Sequence, residues 1–228
     1  MMSRIDFENS LQSALCFWGE LSKEDVKQLV GCEVARMIKY DQNNPHHCYD
    51  LFHHTLHTVQ SLGNTSSMLL RIAAFFHDIG KPYVAMKKSG RTVFYGHANK
   101  SVEISAPILH RLGYTQREIE RICFFIKHHD DFISWVIPSE LYDHSNSHLV
   151  EITPLNVQAH IIEQMNRYVC FEKVETRELW RDLLFLCRAD ALSQADKVCR
   201  EGKAIDSKKR KLKRIAAIED AMVAIPAS

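Results

Sequence analysis

The 228-residue chain is 46% hydrophobic and 25% charged, and its 29 Lys+Arg against 28 Asp+Glu leave a formal charge of +1. That balance suits one large soluble domain or two small ones and gives no global attraction to nucleic acid. No apolar run approaches the roughly 18–20 residues of a membrane span, and MMSRIDFENSLQS lacks the apolar core of a secretory signal, so a cytoplasmic protein without membrane contact is expected. The seven Cys are scattered and never spaced as CxxC, which excludes a disulfide framework and a thiolate zinc site; they read as packing residues. Only 8 Gly and 6 Pro supply turn chemistry, which predicts an all-α fold and disfavours a sandwich or barrel. Thirteen His need an explanation.

In chain order, Phe7, Leu11, Leu15 and Trp18 recur at helical spacing, and so do Val26, Leu29, Val30, Val34, Met37 and Ile38 after a start signal at 22–24. Two leading amphipathic helices are predicted. DQNNP at 41–45 breaks the pattern, and a third helix follows over about 49–62. A fourth, 67–79, stops at Gly80 and Pro82 in the manner of a glycine C-cap followed by proline. Residues 83–95 read as a short hairpin or irregular loop with Ser89-Gly90 as its turn. Helices resume over 97–112 and 116–129, a loop-rich excursion occupies 131–154, and two further helices span 155–169 and 174–199. The run KVCREGKAIDSKKRKLKR, 197–214, is locally basic; a solvated helix face or tail is the plain reading and an RNA or phosphate contact the functional one. With no repeat or linker, one domain over 1–228 is expected, comprising N-terminal helices over 1–40, a signature region over 43–195 and a basic C-terminal helix or tail over 197–228.

Helical phase sorts the histidines. His54 lies on the inward stripe of Leu51, Thr55, Val59 and Leu62, whereas His53 and His57 face solvent. The helix MLLRIAAFFHDIGKP is apolar nearly all round yet ends in His77-Asp78, a costly arrangement unless something binds the pair. His97 heads the stripe of Ser101, Ile104, Ile108 and Leu112. Ile119, Ile122 and Ile126 lead in phase to His129, with His128 beside it, and Leu179, Leu183 and Leu186 lead to Asp190. Taken singly, each is a core histidine satisfied by a carbonyl or a capping carboxylate. Jointly, imidazoles and carboxylates converging from separate helices are what a divalent-metal site in a bundle requires, and the absence of thiolates points to Fe, Mn, Mg, Co or Ni. Phe132 and Trp135 read as core. No GxSxG and no Cys with a motif partner supports nucleophilic Ser or Cys chemistry.

FHHTLHTV, AAFFHDIGKP and CRADALSQ stand in the order of an H…HD…D signature, and the chain resembles the HD-domain metal-dependent phosphohydrolases. NNPHHCYDLFHHTLHTV and RTVFYGHANKSVEIS are similar to segments of the HD domain attached to bacterial CCA-adding tRNA nucleotidyltransferases. The likeness runs over about 43–195 and thins across 131–177. It implies an HD-domain helical bundle whose first metal site falls on His54, His77, Asp78 and Asp190. Members with two metals add a His and an HH pair, which fall on His97 and on His128-His129, with Asp78 as the bridging carboxylate. Every position of the binuclear pattern is filled. Lys81, after the HD pair, corresponds to the family's phosphoryl-neutralising lysine. No GGxVRD-like or GxxGT-like polymerase motif occurs. The HD part is therefore expected to stand alone, without tRNA tailing.

The resemblance thus implies two divalent ions and hydrolysis, by a metal-bound hydroxide, of a phosphomonoester or phosphodiester of a nucleotide or RNA end, possible 2′,3′-cyclic phosphates included. Asp78 and Lys81 are the catalytic candidates. Arg91, Lys100, His46 and His47 are candidate substrate contacts. Two other readings fit the same residues: an HD-type di-iron oxygenase, and a non-catalytic RNA-binding or regulatory HD module that uses the basic tail.

Overall fold

The computed structural model describes residues 2–63, 66–138, 149–168, 171, 173–200 and 203–223. Helix-start chemistry sets the N-terminal elements. Ser3 caps α1 (Arg4–Ser10) by accepting from the Asp6 N–H, a 3₁₀ turn (Leu11–Ser13) leads to α2 (Ala14–Trp18), and a reciprocal Ser22/Asp25 capping box opens α3 (Lys23–Val30). The expected two continuous helices are thereby corrected. The first is interrupted by the 3₁₀ turn, and the second breaks at Gly31, whose φ of 117° only glycine adopts without strain, before α4 (Cys32–Ala35). The apolar period survives these breaks, since Phe7, Leu11, Trp18, Val26, Val30 and Val34 are all buried.

Asp50 caps α5 (Leu51–Ser61) and Ser67 caps α6 (Met68–Phe76), whose residues from Leu70 to Phe76 are all buried. This second helix is the hub of the bundle, packed against α5, against α9 (Gln116–His128) and against α11 (Lys173–Leu192). Phe75 meets Phe7 and Trp18 at ring-centroid distances of 5.4 and 5.2 Å. Each such ring, fully buried, contributes about 1.5–3 kcal/mol of transfer free energy.

A single turn, α7 (Lys81–Val84), follows α6 and leads into β1 (Met86–Lys88) and β2 (Arg91–Val93), the antiparallel hairpin foreseen at 83–95. Ser89 and Gly90 both have positive φ, 51° and 77°, the I′-type turn that suits a two-residue hairpin. Next come α8 (His97–Arg111), which lies against α9, and α9 itself, opened by a Thr115/Glu118 capping box. Of the excursion at 131–154, residues 139–148 lie outside the described residues. Its flanks form β3 (Trp135–Val136) and β4 (Val150–Glu151), which pair in parallel, and Phe132 and Trp135 are buried as read. Then follow α10 (Pro154–Met165) and α11.

The helix expected over 174–199 ends at Leu192. Residues Lys197–Arg200 and Lys203–Asp206 form a second antiparallel hairpin, β5 and β6, ahead of α12 (Ser207–Val223), which packs on α11 and α10 through buried Ile215, Ile218 and Ala221. The cysteines are not uniformly packing residues: Cys187 is buried, Cys123 half-buried, and Cys16, Cys32 and Cys48 are exposed, while Cys170 lies outside the described residues. Among the described residues no helix is long and apolar enough to cross a membrane.

Candidate metal centre

The polar side chains singled out by helical phase arrive at one place because they sit at helix ends or on inward faces. His54 projects from the buried face of α5 and Asp190 from the last turn of α11. His77 is the C-cap of α6, and Asp78 lies in the turn that joins it to α7. His97 is the first residue of α8, and His129 is the C-cap of α9 with Asp130 next in the chain. Gly80 makes the turn possible, but not as the left-handed cap expected from sequence: its φ is −77°. A Cβ there would sit 2.5 Å from the His97 carbonyl oxygen and 2.6 Å from the Ser101 nitrogen, so only a hydrogen lets the His77-Asp78 turn touch the start of α8. The Gly80 N–H donates to Ser101 Oγ at 2.9 Å across that contact.

Asp78 is the hinge of the cluster. Its Oδ2 faces His54 Nε2 at 3.5 Å and His77 Nε2 at 3.2 Å; its Oδ1 faces His97 Nε2 at 3.2 Å and His129 Nε2 at 3.6 Å. Asp190 Oδ1 closes the first side, 3.0 Å from His54 Nε2 and 3.8 Å from His77 Nε2. Asp130 closes the second, 3.2 Å from His97 Nε2 and 3.7 Å from His129 Nε2. Three sets of donor atoms lie within 4.8 Å of one another: His54, His77 and Asp190; His77, Asp78 and His129; His97, His129 and Asp130.

The four imidazoles share one orientation device. Nδ1 of His77 approaches the Ala74 carbonyl at 2.7 Å, that of His97 the Phe94 carbonyl at 2.9 Å, that of His129 the Ile126 carbonyl at 2.7 Å, and that of His54 the Ser193 carbonyl at 3.3 Å. A carbonyl only accepts, so each Nδ1 carries the proton, and in the neutral ring each Nε2 presents a lone pair to the common centre. This is how metal-binding histidines are oriented. Two such nitrogens, His97 Nε2 and His129 Nε2, lie only 3.1 Å apart.

Without a cation, protons must offset the negative charge. Burial alone would lower the His77 pKa, but the adjacent Asp78 charge and the nearby Asp190 carboxylate lift it to about 10. His97 behaves alike: burial opposes, and Asp130 and Asp78 raise it to about 9. Burial would raise the Asp78 and Asp190 carboxyls, yet both are held well below the ordinary carboxylate range, Asp78 by His77 and Lys81 and Asp190 by His54 and His77. Buried His54 Nε2, His77 Nε2 and Asp78 Oδ1 nevertheless have no hydrogen-bond partner. Close approach without hydrogen-bond geometry, among atoms that all offer lone pairs, fits divalent cations in a mixed imidazole–carboxylate set.

Residues 46–195 match the family model of the HD domain. The chain belongs to the HD-domain family. It thereby falls in a superfamily of metal-dependent phosphohydrolases whose members bind divalent metals. It is 32% identical over 104 residues to the CC-adding tRNA nucleotidyltransferase of Thermus thermophilus, a stretch covering 43% of this chain and 24% of that protein. It is also 32% identical over 88 residues to the A-adding tRNA nucleotidyltransferase of Deinococcus radiodurans, covering 36% of this chain and 20% of that protein. The chain therefore spans a quarter or less of the length of these relatives.

The remaining expectations divide around this HD-family centre. His128 is not brought into it: Nδ1 is engaged by Asp131 Oδ2 at 2.7 Å and Nε2 by the Tyr168 hydroxyl at 2.8 Å, so the ring is turned toward α10 and its following residues. Asp130, which sequence reasoning missed, takes the place expected of His128. Lys81 is buried, with Nζ donating to Asp78 Oδ2 at 2.6 Å and to Gln42 Oε1 at 2.9 Å, so its ammonium is engaged with the HD aspartate. A cleft of about 960 Å³ opens onto Asp78, Asp130 and Asp190, and Lys81, Arg91, His46 and His47 line it. Lys100 does not line this cleft; it pairs with Glu103 at 2.7 Å on the outer face of α8. Burial, together with the nearby Lys81 and His54 charges, pushes the His47 pKa down to about 2, which leaves a neutral imidazole on the cleft floor. His53 pairs with Asp50 at 2.9 Å and His57 stacks on Tyr49 at 4.1 Å, both away from the cluster.

Proposed function

We propose that this protein is a phosphohydrolase with two divalent cations, one held by His54, His77, Asp78 and Asp190 and the other by Asp78, His97, His129 and Asp130, and that it cleaves a phosphomonoester or phosphodiester of a nucleotide or an RNA end. The observation that carries the reading is the shared orientation of four buried imidazoles, each donating Nδ1–H to a carbonyl and turning Nε2 toward one aspartate. Bound divalent ions supply Lewis acidity toward the phosphoryl oxygens and an acidified water as nucleophile.

The protein's own residues do the rest. Asp78 offers one oxygen to each set of donors, and Lys81, fixed by Gln42, holds that carboxylate in place and adds positive charge beneath the reacting phosphoryl group. Gln194 Nε2 donates to Asp190 Oδ2 at 2.9 Å and orients the last carboxylate. His47 lines the cleft as a neutral imidazole and offers a hydrogen bond to substrate. In the overall step water oxygen bonds to phosphorus, the bond from phosphorus to the leaving oxygen breaks, and a proton passes to that oxygen.

The test is a panel of nitrophenyl phosphate, bis-nitrophenyl phosphate, nucleoside monophosphates and 2′,3′-cyclic nucleotides, assayed with Mn, Ni, Co, Mg or Fe and again after chelation. Metal-dependent release of product from at least one class is expected. No hydrolysis with any metal contradicts the proposal, and O2 consumption by the iron-loaded protein in place of hydrolysis would identify the oxygenase instead.

A further inference from the structure

The HD match ends at residue 195, so α12 lies outside it, yet this helix forms a wall of the same cleft. Its first eight residues read SKKRKLKR. Ser207, Arg210, Lys211 and Arg214 recur at i, i+3, i+4 and i+7, share one face, and all four line the cleft, while Ile215, Ile218 and Ala221 carry the same face on as the buried apolar half that anchors the helix. Two contacts fix this face in register with the metal centre. Ser207 Oγ lies 2.9 Å from His46 Nδ1, and Lys211 Nζ donates to Gln194 Oε1, the residue whose amide holds Asp190. From 207 to 214 the face extends about 10 Å along the helix axis.

The carboxylates lining the cleft are Asp78, Asp130 and Asp190 of the centre itself and Asp131, which lies between His128 and His160. The α12 wall carries none. The cations of the proposed centre and Lys81 would serve a single phosphoryl group, and a polyanion that continues beyond the reacting phosphate would run on along this face, past Lys211, which already supports Asp190 through Gln194. Tyr95, which also lines the cleft and is 60% exposed, offers an aromatic surface on which a base can stack.

We propose that α12 is a nucleic-acid recognition helix: its cleft face binds the backbone of a single-stranded RNA whose end is presented to the metal centre, with Tyr95 as a stacking platform. This rests on the phosphohydrolase reading and narrows its substrate from nucleotides in general to an oligonucleotide end. Phosphate contacts of this kind position a strand without reading its sequence, so binding is salt-sensitive and sequence-tolerant.

The experiment uses the Mn-reconstituted full chain and a fluorescein-labelled octaribonucleotide with phosphorothioate linkages, followed by anisotropy over a salt series. Arg210→Glu/Arg214→Glu is expected to weaken binding at least about tenfold, and Arg210→Gln/Arg214→Gln to lower the slope of log K against log salt by about 1.4, the value for two lost single-strand phosphate contacts. Lys23→Glu/Lys27→Glu, the same charge change on α3, should shift affinity less than twofold. The assignment is overturned if the α12 variants bind the octamer as the α3 variant does, or if a nucleoside 3′-monophosphate competes as well as an unlabelled octamer. Salt-sensitive binding through α12 without hydrolysis of any phosphoester would sink the hydrolase reading and leave the helix assignment standing. Hydrolysis of small esters with octamer binding unchanged in both α12 variants would sink the helix assignment alone.

Discussion

Gly80→Ala is the smallest change that strikes the centre without touching a polar side chain. The added methyl meets backbone on every side: the His97 carbonyl oxygen at 2.5 Å, the Ser101 nitrogen at 2.6 Å and the Lys100 carbonyl carbon at 2.9 Å. No rotamer change relieves contacts with backbone, so the His77-Asp78 turn and the start of α8 must separate. Overpacking of this kind costs about 1–3 kcal/mol, and weakening the Gly80-to-Ser101 hydrogen bond adds about 1 kcal/mol, for a total near 2–4 kcal/mol. In a chain of this size that corresponds to a fall of about 4–16 °C in Tm. The displacement lies directly between Asp78 and His97, now 3.2 Å apart, so Mn affinity should fall together with stability. Urea unfolding of the metal-free protein and calorimetric Mn titration read the two effects separately. A variant within about 0.5 kcal/mol of the parent, with unchanged Mn affinity, would refute the view that Gly80 is there for close approach.

Three further outcomes follow from the geometry. His128→Ala removes contacts to Asp131 and Tyr168 and should lose about 1–3 kcal/mol of stability while keeping the full metal-to-protein ratio; His129→Ala and Asp130→Asn should each lower that ratio, as measured by elemental analysis. Because the His77 and His97 pKa values are raised to about 10 and about 9, metal uptake at pH 7 should release about two protons, detectable as a buffer-dependent binding enthalpy. For the metal-free protein, those raised values contribute stability that is complete below about pH 6.5 and lost as pH rises through 9 to 10, whereas the depressed Asp78 and Asp190 contribute above about pH 4 and lose that contribution in acid. The melting temperature of the metal-free protein should therefore fall as pH rises from about 6.5 through 10, and fall in acid as well, where buried His47, with its pKa lowered to about 2, adds a loss that begins below about pH 6.5; a rise in stability above pH 7 would contradict the assignment.

Helical phase reached as far as the helices themselves. It selected His54, His97, His129 and Asp190 because each lies in register with an apolar stripe, it took His128 with its neighbour, and it singled out His77-Asp78 as a polar pair at the end of a helix apolar nearly all round; of these His128 is the one turned away from the centre. Asp130 escaped because it stands past the C-cap of α9, where the 3.6-residue period no longer says which way a side chain points. The task of Gly80 escaped for another reason. Its neighbours, His97 and Ser101, are some twenty residues away in the chain, and local sequence cannot distinguish a glycine needed for φ from one needed for space. Lys81 was recognised, but its engagement with Gln42 depends on the chain crossing back from 41–45, a segment legible only as a break. The pairing of Lys197–Arg200 with Lys203–Asp206 was hidden by a basic composition that suits a helix or tail equally well.

Whether Asp78 joins two metal sites is decided by paired metal analysis and hydrolysis of the parent and Asp78→Asn. The substitution keeps the side chain's shape and removes the charge that faces four imidazoles and Lys81. The parent should hold two equivalents of metal and hydrolyse bis-nitrophenyl phosphate or a 2′,3′-cyclic nucleotide; Asp78→Asn should hold fewer than one and lose at least about a thousandfold in kcat/KM, some 4 kcal/mol of transition-state stabilisation. Two tightly bound metals and parental turnover in Asp78→Asn would contradict that bridging role.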